Sequence, residues 1–206
     1  MINPHIKILI LNWNGIGVIE NCLSSISNIK YENYSVCMID NNSDDESLAY
    51  VKNTFNFVEI VELDKNYGYS KGYNLGIDKL LNNESDFYLI LNNDAIITDY
   101  NILNILVQSS IKYGVENIYS PIITDSKNKI WYAGGIVNKI FGYTRHIDIN
   151  KSLKYGKYKT LKTDYVSGCC MFIDKDLFNN LNGFNESYKM YYEDVDLCLR
   201  AKKNNS

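Results

Sequence analysis

The chain has 206 residues, 46% of them hydrophobic, which is enough for one substantial core and so for one domain. A formal net charge of -3 excludes the broad cationic field of a general nucleic-acid binder, although Lys151, Lys154, Lys157, Lys159 and Lys162 form a local basic stretch with interleaved tyrosines. Cys22, Cys37, Cys169, Cys170 and Cys198 make no CxxC pair and adjoin no histidine cluster, which argues against a disulfide framework or a zinc site and for a reducing cytoplasm.

The first apolar run, "IKILIL" at 6 to 11, is too short to cross a membrane and lacks the charged region and cleavage site of a secretory signal, so it reads as a strand. Further strands are expected at 34 to 40, 57 to 63 and 87 to 94, each an apolar run bounded by polar turns. Between them, 18 to 26, 45 to 55 and 70 to 82 space apolar residues three or four apart, as helices do. Strand alternating with helix predicts a parallel sheet covered on both faces. Beyond Asp94 come a helix over 101 to 113, a strand at "NIYSPIIT" and a less regular Gly-rich aromatic segment from Trp131 to Tyr143. A strand from Tyr165 to Ile173, a short helix stopped at Gly183 and a last helix at "EDVDLCLRAKK" complete the chain.

Ligands of an open parallel sheet bind beyond the carboxyl ends of its strands, and here all four ends carry Asn or Asp beside Gly or Ser. "LNWNG" brings Asn12 and Asn14. In "DNNSDD", Asp40 with Asn41 offers acceptors for a ribose or a pyrimidine imide edge, or else closes an Asx turn. In "NYGYSKGYN", Gly68 and Gly72 mark a close backbone approach, with Lys71 suited to a diphosphate and Asn74 to bonding it; a plain turn explains the glycines equally. Asp94, after Asn92 and Asn93, either holds a hard divalent cation or caps the next helix. Glu193, Asp194 and Asp196 open the last helix, where the dipole favours acidic residues and where a general base beside Tyr191 and Tyr192 would also sit well.

Taken in order across nearly all of the chain, "ILNWNG", "MIDNNSDD", "NYGYSKGYNLGI", "YLILNNDAII", "VSGCCMFIDKDLFNNLNGFNE" and "YYEDVDLCLRAKK" resemble a family-2 glycosyltransferase, most closely the rhamnosyltransferase-like branch. The resemblance implies an α/β, GT-A, Rossmann-like fold with a central, mostly parallel sheet flanked by helices. It divides the single domain into a nucleotide-binding half, 1–98, and an acceptor and catalytic half, 99–206. The implied reaction moves a sugar, L-rhamnose among the candidates, from a dTDP- or UDP-sugar to an acceptor hydroxyl with inversion.

By the same resemblance, Asn12, Asn14, Asp40, Asn41 and Lys71 line the nucleotide pocket. Asp94 matches the last aspartate of the metal motif, with Asn93 in place of that branch's proline, and would hold Mg or Mn. Asp194 matches the base of the E-D pair, Glu193 orients it, and Asp196 structures the helix. Gly168 and Cys169 fall near the donor sugar, or simply pack the core. The family's setting implies a cell-surface glycan or lipid-linked acceptor and a cytoplasmic site at the inner face of the membrane; oligomeric state is left open. Members usually run on beyond the E-D helix, so a domain cut short at its C-terminus is expected. One competing reading is a sugar-nucleotide-binding module without turnover. A nucleotidyltransferase is disfavoured, since "LNWNGIGVIEN" has no cation after the first strand.

Overall fold

The computed structural model describes residues 3–80, 84–138, 140–154, 156 and 158–204; residues 81 and 82 of the predicted third helix and Lys157 of the basic stretch lie outside the described residues. The first half alternates as expected: β1 (Ile6–Asn12), α1 (Ile19–Ile26), β2 (Tyr34–Asp40), α2 (Ser47–Thr54), β3 (Val58–Glu62), α3 (Tyr69–Asp78), β4 (Phe87–Asn92) and α4 (Ile102–Tyr113). The second half adds β5 (Ile123–Thr124), β6 (Ile130–Tyr132), β7 (Gly135–Asn138), β8 (Tyr143–His146), β9 (Cys170–Asp174), α5 (Lys175–Asn180) and α6 (Glu193–Asn204).

The main sheet runs β3-β2-β1-β4-β9. Four strands are parallel, and β9 closes the sheet antiparallel to β4. Apolar residues at both parities of β1, β2 and β4 bury both faces. Ile8, Met38 and Leu89 pack with α1 and α4, while Leu9, Ile39 and Ile90 pack with α3, α5 and α6. Helix α3 lies close to the sheet because Gly76 carries no side chain: a Cβ there would stand 2.4 Å from Ile39 Cδ1. The arrangement is the α/β layering that the sequence predicts, a mostly parallel sheet flanked by helices. Among the described residues no helix is long and apolar enough to cross a membrane.

Three predicted strands are corrected. "NIYSPIIT" yields only the two-residue β5 and a bridge from Tyr119 to Phe172, because its intervening residues find no continuous partner edge. The strand expected from Tyr165 begins at Cys170. Residues 167–169 turn instead, with Cys170 N–H reaching Ser167 O at 3.4 Å, so their backbone groups are free to face the sheet's carboxyl edge. β4 likewise stops at Asn92, two residues short of the prediction, where Ala95 N–H bonds Asn92 O and turns the chain.

Candidate active site

The sheet order reverses between β1 and β4, so a crevice opens beyond their carboxyl ends. Asn12 closes β1 there. It is completely buried and ties the strand ends together, donating to Asp40 Oδ1 at 3.3 Å and to Ser47 Oγ at 2.9 Å while accepting from Asn93 Nδ2 at 3.0 Å. A Cβ on Gly15 would lie 2.2 Å from Asn12 Oδ1 and 2.6 Å from Asn93 Nδ2, so only glycine lets this pair form. Asp40 takes Ser43 Oγ at 2.7 Å and Ser43 N–H at 3.0 Å, the Asx turn. With Asn12 it accepts three hydrogen bonds, leaving roughly one of a carboxylate's four acceptor sites.

Asn14 sits at φ 52, a left-handed conformation asparagine tolerates, and accepts Asp44 N–H at 2.9 Å. Asn41 joins the end of β2 to the loop before α3, accepting Tyr67 N–H at 2.9 Å and donating to Asn66 Oδ1 at 3.0 Å. Trp13 stands 55% exposed between the buried Asn12 and the exposed Asn14, an aromatic face that the sequence reading passed over.

Lys71 and Asn74 face another way, along α3. Lys71 pairs with Glu186 at 3.1 Å, and Asn74 holds the backbone of Phe184, donating to its carbonyl at 2.8 Å and accepting its N–H at 3.0 Å. The close approach at Gly68, φ 76, is to Lys189: a Cβ would meet that carbonyl at 2.9 Å, and Tyr69 N–H bonds it at 3.1 Å. These contacts dock the segment before α6 onto the N-terminus of α3.

That docking brings the acidic start of α6 to the same crevice. Asp194 Oδ2 accepts Gly168 N–H at 2.9 Å, and Tyr69 OH donates to Gly168 O at 2.8 Å. Asn92 N–H bonds Cys169 O at 3.0 Å. The 167–169 loop thus bridges the strand end that precedes Asp94 and the helix start that carries Asp194. Asp94 itself is exposed, yet its charge is felt by Cys169 and Cys22, whose thiols burial and this carboxylate push up to about 12. Both thiols are therefore protonated and inert at neutral pH.

Tyr191 and Tyr192 immediately precede the acidic pair at φ 70 and φ 68. Bulky residues in this region are strained by about 1–2 kcal/mol each, and the bend turns Tyr191 out to 73% exposure while Glu193 points inward. Burial raises Asp194 above the usual carboxylate range, opposed by the N–H groups of Gly168 and Val195 and by the nearby charge of His146. Glu193 is buried with Oε2 unpartnered, and its desolvation, with a smaller push from Asp194, moves it from 4.5 to about 7.

A carboxylic acid raised in the folded state stabilises it below the unfolded pKa and loses that contribution as pH climbs to the folded one. Glu193→Gln is accordingly expected to stabilise the fold at pH 8 by up to about 3 kcal/mol, a gain that shrinks to nothing near pH 4.5, as urea unfolding at the two pH values would read.

Among the described residues no cluster of three or more His, Cys, Asp or Glu exists to cage a metal. Asp94 does fit one carboxylate ligand of a hard cation that takes its remaining oxygens from a diphosphate and water, since it accepts no hydrogen bond and forms no ion pair among the described residues. His146, Ser43 and Tyr69 belong to the site but were missed from sequence: His146 lies in the segment without clear periodicity, and Ser43 and Tyr69 resemble any turn or helix-start residue.

The model of the family described as Glycosyl transferase family 2 matches residues 7–181. Among curated proteins, the chain is 29% identical to the low-salt glycan biosynthesis hexosyltransferase Agl10 of Haloferax volcanii, over 97% of this chain and 62% of that one. It is 25% identical to rhamnosyltransferase WbbL of Escherichia coli, over 65% and 54% respectively. It is 21% identical to the N-acetylglucosaminyl-diphospho-decaprenol L-rhamnosyltransferase of Mycobacterium tuberculosis, over 90% and 66%. The chain therefore spans a little over half to about two thirds of these relatives' lengths. In structure it resembles GalNAc-T7 with UDP, GalNAc and Mn2+ at a TM-score of 0.71 and 16% identity, covering 96% of this chain and 40% of that one. The mannosyltransferase PcManGT from Pyrobaculum calidifontis, in complex with GDP-Man and Mn2+, follows at 0.63 and 14%, covering 96% and 51%.

Proposed function

Because the chain belongs to glycosyl transferase family 2, we propose that it carries the catalytic domain of an inverting glycosyltransferase that moves L-rhamnose from a dTDP- or UDP-sugar to a hydroxyl of a glycan or lipid-linked acceptor in cell-surface polysaccharide synthesis. The rhamnosyltransferase relatives support the sugar, and the mycobacterial relative's name supports a lipid-diphosphate acceptor. A cytoplasmic location at the inner face of the membrane goes with that acceptor.

The observation that carries the reading is the loop at 167–169, bonded on one side to β4 ahead of Asp94 and on the other to Asp194. In this proposal residues 1–98 hold the nucleotide and residues 99–206 the acceptor and the base. Asn14 and Asn41 border the nucleotide and Asn12 and Asp40 hold the floor beneath it, while Gly68, Lys71 and Asn74, engaged with residues 184–189, hold the segment before α6 in place. Asn92, Asn93 and Gly168 bound the donor sugar. Asp94 holds a divalent cation, Mg or Mn, which when bound supplies charge stabilisation to the diphosphate leaving group.

Asp194 removes the acceptor proton as the hydroxyl oxygen attacks the anomeric carbon from the face opposite the diphosphate; one displacement inverts the centre. The Gly168 N–H holds the carboxylate in place by bonding Oδ2. Glu193, largely neutral below about pH 7, keeps a second negative charge away from that base.

Incubation with a panel of nucleotide sugars, with and without Mn, tests the reading. Donor hydrolysis or transfer is expected with a dTDP- or UDP-sugar only when Mn is present. Binding without any turnover would instead make the domain a nucleotide-sugar-binding module.

A further inference from the structure

The β7–β8 hairpin is built the wrong way round for a solvated ribbon. Val137 packs toward the core and the His146 ring meets Trp131 and Tyr132 edge-on, with centroids at 4.7 Å and 5.2 Å, so this face points into the protein. The opposite face is expected to be polar. It carries Ile136, Tyr143 and Arg145, which with Val137, Asn138 and Ile140 line an open groove of about 490 Å³. None of these is among the site residues.

At the tip Asn138 Oδ1 accepts the N–H groups of Ile140 and Phe141, both at 3.0 Å, and Gly142 N–H returns to Asn138 O at 2.9 Å. The turn is thus tied in place by its own polar groups, and two consecutive large apolar side chains are left 87% and 77% exposed. Such a display is unfavourable in water unless something covers it.

Charge identifies the cover. From residue 139 to 162 the sequence carries seven lysines and arginines against one acidic residue, Asp148, in a chain whose net charge is -3. The remainder is correspondingly acidic. A second copy of this chain would set the same cations against each other across a two-fold interface. An anionic lipid surface accepts both the apolar tip and the cations behind it.

We propose that the β7–β8 hairpin is a membrane wedge: Ile140, Phe141 and Tyr143 enter the headgroup region of an anionic bilayer, while Arg145, Lys154, Lys159 and Lys162 face its lipid phosphates. His146, at the base of the hairpin, is close enough to Asp194 to influence its charge, and the three residue steps back from Tyr143 place it about 10 Å from the tip. The base is thereby held a short distance above the bilayer, where a diphosphate-linked sugar stands. This orientation rests on the lipid-linked acceptor proposed above; the binding itself does not.

Co-sedimentation with phosphatidylglycerol–phosphatidylcholine vesicles, against pure phosphatidylcholine vesicles, tests the wedge. The wild-type chain is expected to bind the anionic vesicles and to be released by salt. The double substitution Ile140→Ser with Phe141→Ser is expected to weaken binding by about tenfold or more, and Lys154→Gln or Lys159→Gln by roughly fivefold each. Donor hydrolysis in solution should be unchanged in all of them. Equal binding to both vesicle types, or anionic binding indifferent to the hairpin substitutions, overturns the proposal. So does a concentration-dependent dimer that the hairpin substitutions dissolve, because the cover would then be a second copy. If no chain hydrolyses a nucleotide sugar, the enzymatic reading fails while the vesicle result stands on its own.

Discussion

Asp194→Asn is expected to lower transfer by about 100- to 10,000-fold while the Kd for the nucleotide sugar stays nearly constant. The substitution keeps an oxygen that can accept the Gly168 N–H now bonded at 2.9 Å, so the loop and the donor side need not move. The capacity to take a proton is removed, together with the second oxygen, which accepts the Val195 N–H at 2.7 Å within α6 itself. Parallel calorimetry of donor binding and measurement of kcat separate the two effects; unchanged kcat would end the assignment of the base.

The pH profile gives an independent check with a definite sign. Burial raises Asp194, so its basic form is lost, as pH falls, at a higher pH than for a solvated aspartate of about 3.9. The acid limb of kcat/KM should therefore fall above that value in the wild-type enzyme. It should vanish from the residual activity of Asp194→Asn.

Asp94→Ala is expected to weaken nucleotide binding by about 10- to 100-fold or more in Mn and to leave metal-free binding unaltered. The contrast between the two conditions matters more than either value, because a structural defect would lower both. Asp94 is exposed beyond the end of β4, and the Asn12–Asn93 bond that organises the crevice does not use its side chain. A variant with the wild-type metal response would remove Asp94 from the cation and return it to the capping role that its sequence setting also allows.

Much of this architecture was readable because it is written in short-range pattern. Buried parallel strands need apolar residues on both faces, and "IKILIL", "YSVCMID" and "FYLIL" supply them. The glycines of α3 and the polar strand ends were equally visible, although Gly68 proved to approach the backbone of Lys189. Misreadings cluster in the second half. Residues 165–169 have strand-like composition, yet the loop's hydrogen bonds to Asn92 and Asp194 outweigh that preference. The β7–β8 hairpin escaped notice because its outward face mixes Ile136 and Tyr143 with Asn138 and Arg145 and so lacks the clean alternation by which a half-exposed strand is recognised.

The amino-acid order by itself determined the alternating elements, the sheet they make and which strand ends carry polar side chains, since each follows from residues within a few positions of one another. Only the tertiary structure decided that the 167–169 loop would lie between the end of β4 and the start of α6, that β9 would run antiparallel, and that Glu193 would be stripped of water and driven to about 7. The reason is physical: hydrogen bonds between segments distant in sequence, and the desolvation of a carboxylate, depend on what packs beside a group in space. No local periodicity records that neighbour.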